Sequence, residues 1–200
     1  PKSNSFRLYA EMITAKEVGG DFYDFYKLND TTVAFLAADV SGKGIPAAMF
    51  MMTAKTIIKD LAEGGMAVND IFTKANEKLC ENNESGMFVT AWMGILDLTT
   101  GALKFANAGH NPPVIMDADG NVSLLSVVSN LALGIWKDFD FEDQEIKIEK
   151  GSNIFLYTDG VNEAESICKE QYGEERMLKC LAKYHSKSPR IIVEEILNEI

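Results

Sequence analysis

Basic charge is what this sequence is short of: 19 Lys and Arg stand against 30 Asp and Glu, a net charge of -11 over 200 residues. Such a balance opposes the attraction to a phosphate backbone that nucleic-acid binders exploit, so no nucleic acid is expected as a partner. Long apolar runs are missing too. None approaches the ~20 residues needed to cross a bilayer, so no direct membrane insertion is expected in this region. The three cysteines, Cys80, Cys168 and Cys180, are odd in number and outside any C-x-x-C spacing. That argues against a disulfide framework or zinc ribbon and points to reduced thiols in the cytoplasm. Residues 1–5 lead into an alternating stretch carrying Arg7 and Glu11, not the apolar core of a secretory signal. Repeats and low-complexity linkers are absent, and the length suits one domain over residues 1–200. Because the first residue is Pro1 and not Met, the reading is a fragment of a longer chain, with room for an upstream sensor domain or membrane tether.

What is present reads as hairpins and helices. Residues 6–14 alternate apolar and polar, the period of a half-buried strand. Residues 22–28 and 31–38 read as two strands joined at Asn29-Asp30 by a two-residue turn, the second strand deeply buried. Pro46 suits the first turn of a helix over 47–62 that Gly64-Gly65 ends, and Asn69 is placed to cap a second helix running to about residue 82. Residues 87–98, 102–108, 114–116 and 122–125 read as an antiparallel meander, and 139–148 with 153–158 as a further hairpin around Lys150-Gly151. Two helices, 173–185 and 189–200 with Ser188 as cap, close the chain. This order lacks the alternation of a doubly wound parallel sheet, and the fold class is α+β: two packed antiparallel β-sheets flanked by helices.

Against the general acidity, two carboxylates are placed alike. Asp39 follows the apolar run 33–38 and Asp159 the run 154–158, each leading into loop residues, Val40-Ser41-Gly42 and Gly160. An apolar strand that stops at Asp presents a rigidly held carboxylate at a sheet rim, and hard divalent cations want such oxygens. The Val40 carbonyl is a further candidate ligand, and Asp21, after Gly19-Gly20, offers a third carboxylate. Asp21, Asp39 and Asp159 are therefore read as an acidic cation site. In an extended segment Asp21 and Asp24 point to opposite faces, which makes Asp24 a weaker candidate. For each acid the competing reading is a turn residue or helix cap.

Four motifs carry a resemblance: Val18-Gly19-Gly20-Asp21-Phe22-Tyr23-Asp24, Ala38-Asp39-Val40-Ser41-Gly42-Lys43-Gly44, Asn107-Ala108-Gly109-His110-Asn111-Pro112-Pro113 and Tyr157-Thr158-Asp159-Gly160-Val161-Asn162-Glu163-Ala164. In order and spacing the chain resembles the bacterial metal-dependent protein phosphatases of the PPM family, in the branch of the sporulation stage II E phosphatase and the stress sigma-factor phosphatases. The resemblance implies an α-β-β-α sandwich, two Mn2+ or Mg2+ ions, and hydrolysis of phosphoserine or phosphothreonine by a metal-activated water. It also implies that Asp39 bridges both ions, that the Val40 carbonyl binds one and Asp159 the other, and that Asp21 acts directly or through water. The implied substrate is a phosphorylated STAS-domain anti-sigma antagonist, with an activator protein or fused sensor as a further partner.

The family's last metal-binding acid, in an Asp-Asp-x-Thr stretch, has no counterpart before Ile200, so the expectation is a fragment lacking its C-terminal strand and one carboxylate. His110 can be read as a general acid or as a residue that orders its turn by hydrogen bonding, and Lys43 as a phosphate contact or a solvated loop lysine. Two other functions compete. One is a regulatory binding module of the same fold that has lost turnover. The other is a nucleotide cyclase, because Gly19-Gly20-Asp21-Phe22 resembles the Gly-Gly-Asp/Glu-Glu-Phe hairpin of diguanylate cyclases, though Phe22 stands where that motif has an acid.

Overall fold

A computed structural model describes residues 6–13, 19–81 and 83–200. The chain is α+β, with two antiparallel sheets and five helices among the described residues. No described helix is long and apolar enough to cross a membrane. Contacts cluster into two compact units. One takes in 13–110 and 127–147, the other the N-terminal residues through Met12 with Asn111–Ser126 and Ile148–Ile200.

The first unit is built on β1 (Phe22–Lys27), β2 (Thr32–Val40), β3 (Val89–Asp97), β4 (Ala102–Ala108) and β7 (Gln144–Lys147), hydrogen-bonded in that order. Strand alternation divides its side chains between two faces. Ala34, Leu36, Ala38 and Val40 of β2 join Val89, Ala91 and Met93 of β3 in a core with α1 (Ile45–Glu63) and α2 (Val68–Cys80). The buried side chains of α1 are Ala47, Ala54, Ile58 and Ala62, three of them small enough to bring the helix close to the sheet. On the opposite face Trp92 lies between Phe35 and Phe105, with ring centroids 5.7 and 5.6 Å away. Gly94 makes room for that indole, since a Cβ there would lie 2.6 Å from Trp92 Cη2.

The second unit holds β5 (Val114–Met116), β6 (Val122–Leu124) and β8 (Asn153–Phe155), ordered β6-β5-β8. It also holds α3 (Asp159–Asn162), α4 (Gly173–Tyr184) and α5 (Pro189–Glu199). Its core joins Val114, Met116 and Phe155 to Met177 and Leu181 of α4 and Ile192 and Ile196 of α5. Ser188 caps α5, its hydroxyl accepting from the Ile191 N–H at 3.5 Å, where the sequence places it.

Several expectations need correction. Residues 6–13 form no strand despite their alternation, because no neighbouring strand pairs with them; Thr14 lies outside the described residues. The β1–β2 connection spans 28–31 and not two residues, since Asn29 Oδ1 accepts from the Thr31 N–H at 2.9 Å and widens the turn. Asn69 does not cap α2: the N-cap is Ala67, with Asn69 inside the first turn. The expected end of α2 at residue 82 lies outside the described residues. The meander is divided, β3–β4 in one sheet and β5–β6 in the other. Likewise β7 pairs with β4 and β8 with β5, so the turn at Glu149–Ser152 joins strands of different sheets and makes no hairpin. Residues 139–143 are not strand, because Phe139 and Phe141 pack edge to face on each other and Phe141 meets Phe72 of α2.

Candidate active site

Asp39 does not end its strand. It sits inside β2, paired with Thr90 of β3, and β2 runs on through Val40 opposite Val89. Backbone pairing on such a strand fixes a carboxylate far better than a loop does. Asp39 projects away from α1 and α2, on the face of Phe35 and Ala37, because side chains alternate and its neighbours Ala38 and Val40 belong to the helix-side core.

Asp21 stands just before β1. Phe22 pairs with Ala38, so the same register carried one residue outward sets Asp21 opposite Asp39 and Gly20 opposite Val40. Contact distances agree: a Cβ built on Gly20 would lie 2.8 Å from the Val40 carbonyl oxygen and 3.5 Å from Asp39 Oδ1. Glycine at this position lets the Gly19-Gly20-Asp21 backbone close onto the end of β2. Two carboxylates facing each other across a ladder repel, and a divalent cation beside them offsets that repulsion. Val40 carries a second hard oxygen to the same corner.

Asp24 lies on the other face of β1, where its carboxylate pairs with Lys55 of α1 at 3.6 Å and accepts from the Phe25 N–H at 2.9 Å. It is thereby part of the helix–sheet packing and apart from Asp21 and Asp39. Lys43 is exposed in the loop between β2 and α1. Asp159 belongs to the other unit and is exposed. It does not follow a strand directly, as β8 ends at Phe155; Asp159 opens the single-turn helix α3, with Gly160 as its second residue. An acid in the first turn complements the helix dipole, but Asp159 does not cap α3: the N-cap is Thr158, with no side-chain cap hydrogen bond. Two aspartates elsewhere are turn residues: the Asp97 carboxyl is held below the usual range by the Thr99 hydroxyl and by N–H groups of Thr99 and Thr100, and Asp117 likewise by Asn121.

His110, only 5% exposed, reaches the rim from the end of β4. Its Nδ1 lies 3.0 Å from Thr90 Oγ1, and that hydroxyl lies 3.4 Å from the Asp39 carbonyl oxygen. Thr90 is the residue that sequence reasoning missed, since nothing local marks it; only the β2–β3 register brings it to Asp39. The turn that presents His110 is closed by Asn107, whose Oδ1 accepts from the His110 N–H at 2.9 Å while its Nδ2 donates to the His110 carbonyl at 3.0 Å.

No group of three or more His, Cys, Asp or Glu side chains that could hold a metal occurs among the described residues. The corner formed by Asp21, Asp39 and the Val40 carbonyl still fits one class of ion. Mg2+ and similar hard cations keep several waters and are commonly held by one or two carboxylates with substrate phosphate completing the shell.

The family model for stage II sporulation protein E (SpoIIE) matches residues 29–200. The chain belongs to the SpoIIE family. It is 30% identical over 173 residues to the phosphoserine phosphatase RsbU of Bacillus subtilis, covering 86% of this chain and 50% of RsbU. Protein IcfG of Synechocystis is 28% identical over the whole chain, which spans 36% of IcfG. The chain thus spans half or less of these relatives' length. Among solved structures, the RsbU and RsbW domains of a Mycobacterium tuberculosis protein superpose with a TM-score of 0.82 at 22% identity, covering 94% of this chain and 53% of that one. The SiaA PP2C domain of Pseudomonas aeruginosa superposes with a TM-score of 0.77 at 22% identity, covering 90% of this chain and 72% of that one. Identities this low establish a shared fold. Membership of the SpoIIE family also removes the cyclase reading; Gly19-Gly20 stand before β1, and the β1–β2 turn lies at 28–31.

Proposed function

We propose that this chain is a divalent-metal-dependent phosphatase that hydrolyses phosphoserine or phosphothreonine on a regulatory protein, with a small STAS-domain anti-sigma antagonist as substrate. The observation that carries the reading is the facing of Asp21 and Asp39 across β1–β2 with the Val40 carbonyl alongside. Two relatives, RsbU and RsbP of Bacillus subtilis, bear the name phosphoserine phosphatase, which supports the substrate class. A solved structure of RsbX in complex with magnesium supports the ion class at the level of the fold.

Two Mn2+ or Mg2+ ions bound here would supply charge neutralisation and an activated water for attack on phosphorus. By the family resemblance Asp39 would hold both, the Val40 carbonyl one and Asp159 the other, and Asp21 would act directly or through water. With the carboxylate fixed inside a ladder, Asp39 needs little reorganisation to keep its oxygens in place. Acidic surroundings favour a cation and disfavour a bare phosphoryl group, so substrate binding is made dependent on the ions.

The test is phosphate release from a phosphoserine STAS-domain protein by the full-length protein, with Mn2+ added or chelated. Wild type should release phosphate only with metal, and Asp39→Asn and Asp159→Asn should fall to background. Metal-independent release, or both variants matching wild type, would sink the proposal. A second reading, a binding module without turnover, is favoured by Asp159 standing exposed at the start of the single-turn helix α3 instead of on a strand. It predicts that the phosphoprotein binds in the presence of Mn2+ and is recovered still phosphorylated.

A further inference from the structure

Between the candidate ligand strand and the buried polar residues at and beyond the end of β4 runs a chain of contacts with a defined direction. Thr90 Oγ1 is within hydrogen-bond reach of both His110 Nδ1, at 3.0 Å, and the Asp39 carbonyl oxygen, at 3.4 Å. A hydroxyl has one proton. The carbonyl can only accept, so both contacts are made together only if the Thr90 hydroxyl donates to Asp39 and accepts from His110. That requires the imidazole to carry a proton on Nδ1.

Everything behind His110 is arranged to hold it. Asn107 clamps its backbone through both the N–H and the C=O, at 2.9 and 3.0 Å. Asn130 donates to the Asn107 carbonyl at 3.1 Å and is itself fixed to Glu142 by bonds of 3.1 Å in each direction. Gly109, at φ +70°, takes the left-handed turn that swings His110 back toward β3. Asn107, His110 and Asn130 are 4, 5 and 8% exposed. Burying polar side chains is costly unless they are hydrogen-bonded, and the bonds made by His110 Nδ1, the His110 backbone and the Asn107 and Asn130 side chains hold this turn firmly. The rigidity is delivered at one end to the Asp39–Val40 peptide, whose two residues supply the proposed carboxylate and carbonyl ligands.

We propose that Thr90 and His110 are positioning residues: His110 Nδ1–H orients the Thr90 hydroxyl, which fixes the Asp39–Val40 peptide and with it the angle between the Asp39 carboxylate and the Val40 carbonyl. The role assigned to His110 is neither a general acid nor a simple turn former. It rests on the proposed metal corner, but its prediction concerns ion affinity and can be read without turnover.

The test compares Thr90→Val, Thr90→Ser, His110→Ala and His110→Asn in the full-length protein, measuring Mn2+ affinity by calorimetry, kcat and KM on a phosphoserine protein, and metal-free thermal unfolding. Outer contacts of this kind are worth about 10- to 100-fold in metal affinity. Thr90→Val and His110→Ala should weaken Mn2+ binding to that extent and lower kcat with KM little changed. Thr90→Ser keeps the hydroxyl, and His110→Asn can place an amide N–H where Nδ1 stands, so both should recover most of the affinity. Wild-type Mn2+ affinity in Thr90→Val, or equal losses in Thr90→Val and Thr90→Ser, overturns the positioning role. Should Thr90→Val fail to fold, the His110→Ala and His110→Asn pair decides by the same criterion. A wild type that binds Mn2+ in a Thr90-dependent way but releases no phosphate sinks the phosphatase reading and leaves the positioning role standing. Metal-dependent release that is indifferent to Thr90 and His110 does the reverse.

Discussion

Gly20 shows how one missing carbon can define a site. A Cβ at this position would stand only 2.8 Å from the Val40 carbonyl oxygen and 3.3 Å from Val40 Cβ, so one of the two backbones would have to move. Gly20→Ala is therefore expected to cost about 1–3 kcal/mol, the range for overpacking, and to weaken Mn2+ binding by shifting Asp21 away from Asp39. Urea unfolding and calorimetry check the two effects, and a variant that matches wild type in both would contradict the close approach. Asp24 gives the opposite expectation. Its partner Lys55 is partly exposed, so Asp24→Asn should cost under about 1 kcal/mol and leave phosphate release unchanged. A large loss of release in Asp24→Asn would return that residue to the site. Of the candidates, the adjacency of Asp39 and Val40 could be read in the sequence directly. That Asp24 turns away from Asp21 also followed from alternation, but its partner Lys55, the facing of Asp21 and Asp39, and the place of Thr90 beside Asp39 depend on pairing and packing that local pattern does not encode.

At the scale of elements, patterns that concern one segment alone were legible. The strands 102–108 and 114–116, the helix opened by Pro46 and the Ser188 cap all follow from periodicity and local chemistry. Elements defined by their partners were not. Residues 139–148 are apolar enough for a strand, yet Phe139 and Phe141 are drawn into an aromatic cluster and only Gln144–Lys147 finds a neighbour in β4. The helix α2 does more than its amphipathic pattern discloses. Fully buried Asn76 donates to the Trp136 and Lys137 carbonyls at 2.7 and 3.2 Å and accepts from the Gly134 N–H at 2.8 Å, pinning the 134–137 loop. Asn76→Leu should strand these backbone groups and destabilise by about 1–3 kcal/mol, toward the upper end because three bonds are lost together. The measurement is a lowered urea midpoint at unchanged slope. An unshifted midpoint would mean that the loop holds itself.

For the molecule as a whole, a net charge of -11 favours cation binding, and the proposed ion would add to the stability of the folded chain. Mn2+ at 100 times its dissociation constant should stabilise the folded chain by about 2.7 kcal/mol, a rise in melting temperature that chelation reverses and Asp39→Asn abolishes. Persistence of the full rise in Asp39→Asn would place the ion elsewhere. A second dependence is on alkali. Burial, followed by the nearby Glu199 carboxylate, pushes the Cys180 thiol up to about 11 from 9.0. Between those values the folded state holds a proton that the unfolded state has given up, so the stabilisation present below pH 9 is lost as pH rises toward 11. Urea midpoints across that interval should fall more steeply for wild type than for Cys180→Ala; parallel curves would remove Cys180 as the cause. The β1–β2 pairing carries one more consequence. Asp21 directly precedes β1 and Asp39 lies in β2, and a short turn joins the two strands, so the half of the proposed site they form depends on local contacts, the kind a chain makes soonest. During synthesis the proposed ion would then meet its first two carboxylates while later strands are still unmade, and would act as a template for folding as well as for chemistry.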